Sequence, residues 1–137
     1  MRESSQDPKQ VIVPSSKRGD GAVPAPFRVN VVPERESVRV CPVGDVDIAT
    51  AHAVRGHLEA LVAEGFDRVV LDLRDTTFLD STGLSLALDT QAAAERDGFV
   101  FSIIPGPPCV RRAFDVAGLG SHLSFVDPHR RTALRHE

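Results

Sequence analysis

The chain contains no tryptophan and no tyrosine, so its aromatic hydrocarbon rings are its seven phenylalanines. It therefore lacks the best platforms for stacking nucleobases. Its two cysteines, Cys41 and Cys109, have no CxxC spacing. They read as two reduced, packed thiols rather than as a disulfide or metal framework. No apolar run approaches the length needed to span a bilayer, and the polar start Met1-Arg2-Glu3-Ser4-Ser5 is unlike a signal peptide. The expectation is a cytoplasmic protein with no membrane contact. The five histidines are scattered without zinc spacing, so no metal is expected. Lysine is confined to Lys9 and Lys17. Residues 27–128 hold nine basic and fifteen acidic side chains, which argues against nucleic acid as a direct ligand.

What is present suits one domain: 137 residues, 42% of them hydrophobic. Residues 1–26 are polar and Pro/Ser/Gly-rich apart from Val11-Ile12-Val13, so a flexible N-terminal tail is expected. Phe27–Val31 and Val38–Val43 alternate apolar and polar residues around a short polar link, as a β-hairpin does. Gly44 closes the second run, leaving Asp45 and Asp47 as exposed loop carboxylates. Helices are expected at about 49–64, 81–97 and 108–117, with stops at Gly65, Gly98 and Gly118. Val69–Leu73 and Phe99–Ile104 are apolar runs of the kind buried in parallel sheets. A short last strand over 123–126 precedes a C-terminal tail, 129–137, with a partial helix from Pro128. Strands alternating with helices predict an α/β fold. Its sheet should be mixed, mostly parallel and four- to five-stranded, with helices mainly on one face. Val69, Leu71, Leu73, Leu84, Leu88, Ile103, Phe114 and Leu119 are expected in its core.

The densest chemistry is Phe78-Leu79-Asp80-Ser81-Thr82-Gly83-Leu84, between a strand and a helix. Asp, Ser and Thr can accept hydrogen bonds from the free N–H groups of a helix's first turn. Gly83 permits close backbone approach. Three roles are open to Ser81. It could cap the helix, the plainest reading and the one physics alone favours. It could be a nucleophile, although a nucleophile elbow needs a glycine where Leu79 stands, and no histidine lies in a recognisable motif. Or it could accept a phosphate at the positive end of a helix dipole.

This motif resembles the signature of the STAS domain family, in particular the bacterial anti-sigma factor antagonists. Two further blocks fall in the family's order. Gly44-Asp45-Val46-Asp47 with Thr50-Ala51 resembles the segment after its second strand, Asp45 standing where many members have Glu. Val110–Leu119, ending Phe-Asp-Val-Ala-Gly-Leu, resembles its third helix. The resemblance covers about residues 27–128. It implies a STAS-like fold without catalytic activity or cofactor, and phosphorylation on Ser81, with Thr82 as fallback acceptor. It also implies partner switching: the unphosphorylated form binds an anti-sigma factor and frees a sigma factor for transcription, in stress-response or sporulation-type signalling. The anti-sigma factor is itself a serine kinase that uses ATP, and a protein phosphatase reverses the mark. Asp45, Asp47, Thr50, Asp80, Ser81, Thr82 and Gly83 would form the partner face. The alternatives are a STAS domain acting as a non-switched scaffold or ligand-binding module, and a small serine hydrolase.

Overall fold

The computed structural model describes the strand at 9–13 and the continuous stretch 26–127. Strands β1 (Lys9–Val13), β2 (Phe27–Pro33), β3 (Val38–Val46), β4 (Arg68–Asp72) and β6 (Val100–Ile104) form a mixed sheet in the order β1-β2-β3-β4-β6. The short strand β5 (Thr76–Leu79) pairs with the far end of β3. Among the described residues there are three helices, α1 (Ala51–Ala63), α2 (Ser81–Asp97) and α3 (Pro108–Val116). β1–β2 and β2–β3 are antiparallel, while β3–β4, β4–β6 and β3–β5 are parallel.

Alternation decides which face is the core. In register, Val38 and Val40 meet Val69 and Leu71, which meet Phe101 and Ile103, and all six are buried. Val54, Leu58 and Leu61 of α1, with Leu86, Ala87 and Ala94 of α2, pack onto that face. The row between, Arg39–Val70–Ser102, points the other way and is half-buried. On this reverse face Asp72 is buried between Arg39 (2.9 Å) and Arg74 (2.8 Å), and Arg39 also bonds Glu34 at 3.0 Å. Burial alone would push the Asp72 carboxyl up, but the Arg74 and Arg39 bonds outweigh it and hold the carboxyl below its ordinary value.

β3 serves two parallel partners in turn. Val38–Val40 pair with β4; past Pro42, which has no N–H to donate, Gly44–Val46 pair with β5. The handover has a bulge at Gly44/Asp45, where Gly44 takes φ 116°, a conformation closed to most side chains.

Four expectations need correction. The N-terminal segment contributes a strand at 9–13, because the outer edge of β2 is open for pairing; the rest of 1–26, and 128–137 with the proposed partial helix, lie outside the described residues. β5 was not expected as a strand, since only Thr76 and Leu79 of its four residues face inward. The strand expected at 123–126 contracts to one bridge, Ile103 to Phe125. Leu88 is exposed, and Leu84 and Leu119 are only half-buried. α2 instead buries Gly83, Leu86, Ala87, Thr90 and Ala94, laying its smaller side chains against the sheet. Among the described residues no helix is long and apolar enough to cross a membrane.

Candidate functional site

The site is built where β3 and β5 end side by side. Val46 pairs with Leu79, and the Asp80 N–H donates to the Val46 carbonyl at 3.2 Å. From this rung one chain turns into α1 through 47–50, and the other enters α2 at Ser81.

Asp80 caps α2. Its backbone is extended, and its Oδ1 accepts the N–H groups of Thr82 at 2.9 Å and Gly83 at 3.3 Å. Ser81 is therefore the first helical residue and not the cap, which settles against the plainest reading of its role. It is exposed, and its hydroxyl takes no part in the cap. Thr82 is half-buried. Gly83 is buried, and a Cβ there would stand 2.7 Å from Leu79 Cγ and 3.2 Å from Val46 Cγ1, so any larger residue would require the start of α2 or its neighbours to shift.

The other arm differs from the expectation of exposed loop carboxylates. Asp47 is 6% exposed and Thr50 is fully buried. Asp47 Oδ1 accepts the Ala49 N–H at 3.0 Å, and Thr50 Oγ1 accepts the Asp47 N–H at 3.0 Å while donating to the Asp45 carbonyl at 2.7 Å. The Asp47 carbonyl accepts the Thr50 and Ala51 N–H groups at 3.0 and 2.8 Å. Unsatisfied buried polar groups are costly, so these two side chains fold the turn inward on themselves. Asp45 lies at the end of β3, half-buried, and accepts the Thr77 hydroxyl at 2.6 Å.

Asp45, Asp80, Ser81, Thr82 and Gly83 thus gather at one end of the sheet, with Asp47 and Thr50 beneath the surface of the same loop. Two apolar side chains there are also exposed: Ile48 (79%), which the sequence did not single out, and Phe78 (44%), which heads the motif but was given no role. Exposed Cys109, at the start of α3, donates its thiol to the Thr77 carbonyl at 3.4 Å. No three His, Cys, Asp or Glu among the described residues converge as a metal site. Among the described residues no hydrogen bond joins Ser81 to a histidine.

The family model described as "Mlab, STAS domain" matches residues 29–127. The chain belongs to the STAS domain family. A curated relative of this STAS domain, the anti-sigma-B factor antagonist of Bacillus subtilis (strain 168), is 28% identical over 93 residues, covering 68% of this chain and 84% of that protein. Among solved structures, an anti-sigma factor antagonist from Mycobacterium paratuberculosis superposes with a TM-score of 0.64 at 26% identity, over 78% of this chain and 92% of the other. The anti-sigma factor antagonist SpoIIAA matches in fold in its unphosphorylated form, with a TM-score of 0.64 at 21% identity over 81% and 97% of the two chains. Its phosphorylated form, from Bacillus, matches with a TM-score of 0.58 at 20% identity over 81% and 99%. β1 precedes the stretch that the family model covers.

Proposed function

We propose that this STAS domain is an anti-sigma factor antagonist switched by phosphorylation of Ser81. Unphosphorylated, it binds a cytoplasmic anti-sigma factor and so releases a sigma factor. The partner, a serine kinase holding ATP, modifies Ser81, and a protein phosphatase restores it. The domain itself catalyses nothing and carries no cofactor.

The observation that supports this most directly is the division of labour at the start of α2. Asp80 supplies the cap, so the exposed Ser81 hydroxyl can be modified without the loss of a capping hydrogen bond. In the transfer, Ser81 Oγ bonds to the γ-phosphorus of ATP, the bond to the ADP oxygen breaks, and the hydroxyl proton passes to a base on the kinase. The product adds about −1.5 to −2 charges. The Thr82 and Gly83 N–H groups are already committed to Asp80, so the new dianion meets a neighbouring carboxylate rather than a free nest of amides. It is displayed outward, where a partner surface shaped for a neutral hydroxyl meets unpaired charge. Half-buried Thr82 is the fallback acceptor.

Intact mass after incubation with the source organism's purified anti-sigma factor kinases and ATP tests the reading. One added phosphate is expected, lost in Ser81→Ala, with calorimetric binding retained by Ser81→Ala and weakened in Ser81→Asp. Wild-type affinity in both variants would leave the non-switched scaffold as the better account.

A further inference from the structure

Single apolar side chains are common on protein surfaces, and Ile48 alone would need no explanation. Its placement does. Val46 and Leu79 form one rung of the parallel ladder, and Ile48 and Ser81 each lie two residues beyond it. The register therefore brings them to the same end of the sheet, with Phe78 one residue before the rung on β5.

The turn that carries Ile48 is also heavily determined. Buried Asp47 and Thr50 bond the backbone on both sides of Ile48, at Asp45, Asp47 and Ala49, over distances of 2.7 to 3.0 Å. These bonds fix the backbone of the turn while Ile48 is left 79% exposed. A side chain presented by a rigid turn loses little conformational freedom on docking, so more of its burial appears as affinity.

We propose that Ile48, with Phe78 at the same end of the sheet, is the apolar anchor that the kinase partner grips, and that Asp47 and Thr50 are positioning residues that hold it in place. This rests on the Ser81 reading above. The occupant is a folded protein with an apolar recess next to its phosphoryl-donor site and a cationic rim. Charge complementarity supports that rim: Asp45 and Asp80 flank the rung, and residues 27–128 carry nine basic against fifteen acidic side chains. An anionic membrane or nucleic acid would be repelled by the same charges.

The experiment titrates the source organism's purified anti-sigma factor kinases into the full-length chain by calorimetry, alongside a thermal melt of each variant. Ile48→Ala is expected to raise Kd about tenfold or more, the scale of an interface hot spot, with an unchanged melting midpoint. Ile48→Glu should raise it further, and Phe78→Ala should raise it less. Thr50→Val should raise Kd while Thr50→Ser, which keeps the hydroxyl, restores it. If wild type binds and Ile48→Ala binds equally well, the anchor is overturned and the Ser81 reading stands. If wild type is neither bound nor phosphorylated by any of the kinases, both fail. A less stable Thr50→Val with wild-type Kd removes Thr50 from the positioning role. Should Thr50→Val not fold, the exposed Ile48 variants decide alone.

Discussion

Asp80 Oδ1 accepts the Thr82 N–H at 2.9 Å, placing the cap of α2 one residue before the serine that the motif brings to attention. The two side chains should therefore separate in a stability measurement. Asp80→Ala is expected to lose about 1 kcal/mol, the usual value of an N-cap. Ser81→Ala should stay within about 0.5 kcal/mol of wild type, as ordinary surface changes do. Urea denaturation of the two variants checks this. Equal losses would return the cap to Ser81.

Gly83→Ala should destabilise the domain although alanine is the better helix former. The propensity gain is about 1 kcal/mol at most. Against it stands a new Cβ 2.7 Å from Leu79 Cγ, in a packed corner where overfilling costs about 1–3 kcal/mol. A net loss of stability, read from the denaturation midpoint, is expected. A gain would mean the start of α2 can move off the β3–β5 rung.

The Asp72 carboxyl is held below its ordinary value by Arg74 and Arg39. A depressed acid stabilises the fold above its unfolded pKa, about 3.9, and that contribution is lost as pH falls through the folded value. Asp72→Asn should thus be less stable at neutral pH. Its stability should also change less steeply than wild type between about pH 4 and the acid limit. Parallel curves for the two proteins would remove Asp72 from the acid response.

The two thiols should react at very different rates. Burial, reinforced by the nearby Asp72 carboxylate, pushes the Cys41 thiol up to about 11, whereas Cys109 is exposed. At about pH 8 a thiol-specific reagent should label one site per folded chain, mapped to Cys109, and both sites in denaturant. Fast native labelling of Cys41 would show that the reverse face of the sheet opens readily.

Much of the domain was legible from residue order. The helix over 81–97 was readable from Asp80-Ser81-Thr82-Gly83 at one end and Gly98, with φ 85°, at the other. The α/β alternation and the buried Val69, Leu71 and Ile103 followed from apolar runs. What escaped depended on distant partners. β5 is a strand because the end of β3 offers it a parallel edge, and nothing within Thr76-Thr77-Phe78-Leu79 alternates. The burial of Asp47 comes from the turn folding onto Thr50, where a local reading sees only a loop acid. Leu84 and Leu88 suggest the wrong face of α2, because close helix–sheet packing selects Gly83, Ala87 and Ala94. The spacing of those small residues was the available signal.

The handover of β3 from β4 to β5 also bears on when the site comes into being during folding. Val46 and Leu79 are brought together only after the chain has passed through α1 and β4, so their rung needs a long loop to close. A nascent or partly unfolded chain still contains Ser81, but it does not yet hold Ile48 at the same end of a sheet. On the proposed reading, a kinase that requires both would ignore immature copies and mark finished domains, and phosphorylation would double as a check on folding.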